Sequence, residues 1–189
     1  MREPLFSRWY VPIAFGATAM VALIVMVVAA AQMVTVETPD SAPLVESNAH
    51  LRIADDELDR GNVAASELHL RAAYAAAARL PGWESLLDVG DGFRRLALAT
   101  GASPDSVTQA RAAYLAALVR ARHGRSVDGV LRAGEGFGAL GDYEVVRQSI
   151  VMARRIADRG GDAVAHGRVR AFTERWSTRA HTNREEIVQ

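Results

Sequence analysis

Hydrophobic and polar positions fall into three regimes along the chain. From Trp9 to Val36 there are 28 residues without a charge. From Thr38 to Asn48 the run TPDSAPLVESN mixes prolines, acids and serines with no hydrophobic period. From Leu51 onward, alanine, leucine and arginine dominate, all good helix formers, and alternating β-branched runs are missing. The pattern predicts an all-α protein: one N-terminal transmembrane helix followed by a small array of α-α hairpins. Its parts are a cytoplasmic N-terminus at 1–8, a transmembrane helix at 9–36, a linker at 37–50, a helical domain at 51–176 and a C-terminal tail at 177–189.

The uncharged stretch exceeds what a bilayer needs, since a helix of roughly 20 residues already spans the hydrocarbon core. Within it, MVALIVMVVAAA has no polar atom outside its backbone, so lipid would tolerate it only as a helix. Trp9 and Tyr10 stand where aromatic side chains meet headgroups, and Pro12 falls in the first turns, where a missing donor matters little. Ala29-Ala30-Ala31 before Gln32 offers the alternative of a cleaved signal peptide. The apolar region is longer than the 7–15 residues usual for a signal, which favours a retained anchor. Arg2 and Arg8 precede the stretch, whereas Glu37, Asp40 and Glu46 follow it before the first arginine, Arg52. The positive-inside rule therefore predicts a cytoplasmic N-terminus in a bacterial inner membrane and a periplasmic remainder. Ala14, Thr18 and Ala22 share one face at four-residue spacing, a candidate surface for packing against another membrane helix.

Turn signals divide the remainder. They stand at Gly61-Asn62, Pro81-Gly82, Gly101 to Pro104, Gly124 with Gly129, Gly141-Asp142 and Gly160-Gly161-Asp162. Val89-Gly90-Asp91-Gly92-Phe93 returns 44 residues later as Ala133-Gly134-Glu135-Gly136-Phe137. The second copy continues through Leu140, Gly141, Asp142, Tyr143, Val146, Ile150 and Ala153. The first keeps the second-helix half as Ala110, Tyr114 and Ala117 but inserts Ala102-Ser103-Pro104-Asp105, read as a stretched turn. A degenerate earlier member has Ala54, a turn at Gly61-Asn62, then Leu70 and Ala73.

This spacing resembles the tetratricopeptide repeat over about residues 51–160. The resemblance implies stacked antiparallel helix pairs that bind other polypeptides along a concave surface lined by the first helix of each pair. Carried over by the matched glycines, the protein-binding residues would be Asp91, Arg94 and Arg95 from one repeat and Asp128, Leu131 and Glu135 from the next.

Composition narrows the chemistry. With no cysteine, disulfide scaffolds, zinc ribbons, iron–sulfur clusters and thiol nucleophiles are excluded. All 22 basic residues are arginine, matched by 22 acids, and a neutral chain argues against a nucleic-acid partner. The balance is uneven. Residues 37–91 hold 11 acids and 4 arginines, a net of −7, whereas residues 92–189 hold 10 acids and 16 arginines, a net of +6. Arg120, Arg122 and Arg125 cluster before a break; they form either a docking face for an acidic partner or lipid headgroups, or a solvated helix face.

No two of His50, His69, His123, His166 and His181 stand three or four apart, so no helical metal pair is expected. Gly90-x-Gly92 and Gly134-x-Gly136 lack the preceding strand, third glycine and lysine of a phosphate loop and read as packing glycines. No metal, cofactor or catalysis is expected. The leading expectation is a membrane-anchored accessory or scaffold subunit of a larger bacterial membrane complex, with electron-transfer assemblies as the class in view. It would contact other membrane subunits and lipid. The rival is an inner-membrane tether that transiently holds periplasmic client polypeptides.

Overall fold

The computed structural model describes residues 41–187, with side chains as far as Thr178. Among these residues there are seven helices and no strand: α1 Ala42–Asp59, α2 Val63–Ala77, α3 Glu84–Ala99, α4 Pro104–His123, α5 Val127–Ala139, α6 Tyr143–Gly160 and α7 Ala163–Ile187. They pair as hairpins α1–α2, α3–α4 and α5–α6, with α7 packed on the end. The first helices also meet in succession, α1 with α3, α3 with α5 and α5 with α7, while α2, α4 and α6 show no comparable pairing. The array therefore curves with first helices inside and second helices splayed outside. This is a helical-hairpin array compatible with a repeat fold.

Alanine makes the close hairpins possible. Ala73, Ala76, Ala77, Ala110, Ala113, Ala117 and Ala121 are completely or almost completely buried, so α2 and α4 lie near their partners with little side chain between. Bulk is supplied at intervals by Leu70, Leu86, Phe93, Tyr114 and Phe137. The 44-residue step extends beyond the glycine motif. Ser66, Leu70, Ala73 and Ala77 of α2 recur as Ala110, Tyr114, Ala117 and Ala121 of α4, and all eight are buried.

Packing bears out the motif glycines. A Cβ on Gly92 would lie 2.5 Å from a Leu70 methyl, and one on Gly136 would lie 2.6 Å from the Tyr114 ring. A Cβ on Gly90 would lie 2.5 Å from the same ring. Tyr114 thus sits against glycines of two successive hairpins.

Four boundaries differ from the sequence expectation. The first helix begins at Ala42, inside the expected linker, because Pro43 occupies the opening turn, where its fixed φ suits a helix and its missing N–H is not needed. Ser47, also assigned to the linker, is buried and donates a hydrogen bond of 3.2 Å to the Ala73 carbonyl. Gly129 is not a break but lies within α5, where a Cβ would meet Ala121 and Trp83 at 2.7 Å. Ser126 starts that helix instead, accepting from the Gly129 N–H at 3.0 Å. The insertion after Gly101 goes mainly into helix rather than turn: α3 continues to Ala99 beyond Phe93, whereas α5 stops at Ala139 soon after Phe137. Finally, α7 carries through Ser177 to Ile187, so that part of the expected tail continues the helix.

Among the described residues no helix is long and apolar enough to cross a membrane. The stretch from Trp9 to Val36, with Ala14, Thr18 and Ala22, lies outside the described residues.

Candidate binding surfaces

The inner layer carries the residues expected to bind protein, and three of them, Asp91, Arg95 and Asp128, join one helix to another. Arg95 on α3 reaches Asp55 on α1 through both carboxylate oxygens, at 2.7 and 3.0 Å. Asp128 on α5 accepts from Arg168 on α7 at 2.5 Å. Asp91 accepts from the Tyr114 hydroxyl at 2.7 Å, and the Arg94 Nε stands 3.7 Å from the same carboxylate. Burial holds the Tyr114 phenol above its ordinary pKa, and the Asp91 hydrogen bond adds to the shift, so the hydroxyl remains a donor.

Leu131 requires a correction. It is 6% exposed and belongs to the hydrophobic core, because it falls on the apolar side of α5 with Val127 and Val130. Glu135, one turn further on, is exposed. Between α1 and α3 an open groove of about 460 Å³ is lined by Asn48, Arg52, Asp55, Asp88, Asp91 and Arg95. The structure thus brings Asp91 and Arg95 to one recess, together with Asp55 of α1, which spacing alone did not connect to them.

The outer layer has a second, larger groove, of about 850 Å³, between the C-terminal end of α4 and the length of α6. Its lining carries Arg122, Arg125, Arg147, Arg155 and Arg159 together with the apolar Val151, Met152 and Ile156. Arg147 pairs with Glu144. Of the three arginines the sequence singled out, Arg122 and Arg125 line this groove, but Arg120 does not. Its guanidinium donates to the carbonyls of Ala77, Ala78, Leu80 and Gly82, closing the C-terminal end of α2 and the loop that follows. Arg155 and Arg159 escaped sequence reasoning. They stand one turn apart on α6, and only the fold sets them opposite α4.

The histidines are not all isolated. His50 on α1 and His69 on α2, 19 positions apart, meet with their Nδ1 atoms 3.1 Å apart. His166 on α7 contacts Asp158 and the Asp162 carbonyl, each at 2.8 Å. Among the described residues no group of three or more histidine or acidic side chains is arranged to hold a metal. No protein family, curated protein or solved structure matches the chain.

Proposed function

We propose that the chain is a non-catalytic, single-pass membrane accessory subunit whose tetratricopeptide-like domain binds and stabilises a larger bacterial membrane complex. One observation carries this reading: the inner layer is a series of helices cross-braced by Arg95–Asp55 and Arg168–Asp128. Such bracing gives an extended, preorganised surface, which lowers the ordering cost of binding another polypeptide. The glycine–aromatic spacing and the succession α1, α3, α5, α7 support the tetratricopeptide likeness. The uncharged segment from Trp9 to Val36 supports the anchor.

Mild-detergent purification of the tagged chain from its native membrane, followed by sizing and mass spectrometry, tests the reading. A discrete, stoichiometric set of membrane subunits is the expected result. A lone chain accompanied by substoichiometric periplasmic proteins would instead support the tether. Replacing residues 11–31 with polyleucine should weaken assembly if Ala14, Thr18 and Ala22 pack against a partner helix, and full retention would reduce the segment to a tether.

A further inference from the structure

We propose that the groove between α4 and α6 binds an acidic, amphipathic polypeptide segment. Outside the groove, Arg60, Arg71, Arg79, Arg95, Arg111 and Arg168 each pair with a carboxylate, and Arg120 gives its donors to carbonyls. The groove gathers four arginines that have no such partner. Among the described residues, the guanidinium groups of Arg122, Arg125, Arg155 and Arg159 have no partner, although all four line one recess. Four cations held together without counter-charge repel one another, and an anionic ligand would relieve that repulsion.

Arg125 adds a second observation. It adopts a left-handed backbone at φ 52°, while Gly124 beside it, which could take that conformation without strain, does not. The turn therefore places an arginine, at some backbone cost, in the lining.

The lining selects the ligand class. Guanidinium forks match carboxylates in bidentate geometry. Beside these arginines, Val151, Met152 and Ile156 add apolar surface to the lining, and Val151 is 48% exposed. Glu144 to Gly160 spans about 24 Å of α6 at 1.5 Å per residue, the length of a helical segment of about 16 residues. An acidic helix with one apolar side matches both the arginines and the apolar residues of the groove. Paired with Arg147, Glu144 makes that end of the groove less cationic, which gives the occupant a preferred direction.

The inference deepens the scaffold reading and rests on it for the nature of the partner. Its test is independent of assembly. The full-length chain in an uncharged detergent is titrated against a fluorescein-labelled helical peptide of about 16 residues, with leucines on one face and glutamates beside them, at about 0.15 M salt. Anisotropy should show saturable binding, weakened at least tenfold when glutamine replaces the glutamates. Arg155→Glu with Arg159→Glu should weaken it at least tenfold, and Arg155→Gln with Arg159→Gln by a smaller but clear factor. Arg154→Glu with Arg170→Glu, the same charge change at exposed positions outside the groove, should change it less than twofold.

Absence of binding, or equal loss in the Arg154/Arg170 control, overturns the proposal. So does preferential binding to phosphatidylglycerol vesicles that the Arg155/Arg159 charge reversals abolish, which would make the groove a lipid site. Self-association that the same charge reversals abolish, with no peptide binding, would make it a contact between copies. Peptide binding by a chain that purifies without membrane subunits would support the groove and defeat the scaffold reading alone.

Discussion

The α2–α3 and α4–α5 joints follow one plan with different materials. In the first, Leu70 presses a methyl against Gly92; in the second, 44 residues on, the Tyr114 ring presses against Gly136. Leucine can rotate a methyl away, so the first joint has slack. Tyr114 is confined by both Gly90 and Gly136, with its hydroxyl bonded to Asp91. The first joint compensates elsewhere: Arg120 reaches back from α4 and ties down the loop before α3. One joint is held by a wedge, the other by a polar lock.

The largest effects should come from testing the wedge. Gly136→Ala puts a Cβ into a ring that has nowhere to retreat and should destabilise the fold by about 1–3 kcal/mol. Gly92→Ala meets the methyl ends of Leu70 and Leu51, and alanine's better helix propensity offsets part of the clash, so less than about 1 kcal/mol is expected. Denaturant unfolding of the full chain in detergent measures both. Adding Tyr114→Leu should rescue part of the Gly136→Ala defect, since it converts the second joint into the first. Equal costs at Gly92 and Gly136 would break the comparison.

The lock is tested at Arg120. Arg120→Met keeps much of the apolar stem but removes every donor to the four carbonyls, and a loss of about 2 kcal/mol is expected, typical of hydrogen bonds involving a charged group. The same change at Arg122, which has no partner among the described residues, should be near neutral. A substitution at Arg120 as mild as that at Arg122 would leave the first joint resting on Leu70 and Gly92 alone.

What sequence reading recovered, and what it missed, follows from the same physics. The helical period, the hairpin turns and the packing role of the glycines are local patterns and were legible. So was the match of Leu70 and Ala73 to a repeat, because small and bulky residues keep a fixed spacing when helices stack. The opening of α1 was not legible, since Pro43 reads equally as linker or first turn until Ser47 is seen buried. Leu131 was carried over as a surface position because a resemblance aligns residues, whereas burial depends on how α5 rolls against its neighbours. The candidate surfaces were the least legible part. Arg120, Arg122 and Arg125 look alike in sequence; only the fold shows that one caps a helix while two others join Arg155 and Arg159 around a groove. His50 and His69 meet for the same reason, through a hairpin contact that short-range spacing rules do not register.

The smallest expected effect concerns the last joint, where His166 on α7 bridges back to α6. Its Nδ1 faces the Asp162 carbonyl and its Nε2 the Asp158 carboxylate, both at 2.8 Å. Neutral imidazole carries one N–H and can donate to only one of them, whereas imidazolium donates to both. The Asp162 carbonyl, then the Asp158 hydrogen bond, therefore lift the folded pKa above the ordinary 6.5. With the folded value above the unfolded one, the stabilising contribution is complete below about pH 6.5 and fades as pH rises through the folded pKa. Asp158→Asn keeps an acceptor but removes the charge, so it should lower the His166 pKa and flatten this part of the stability profile. Proton NMR of the His166 ring through the titration reads the pKa directly. A wild-type value at or below 6.5 would mean that α7 is joined to the array by the apolar contacts of Phe172 and Trp176 and by the Arg168–Asp128 pair, with no contribution from a charged His166.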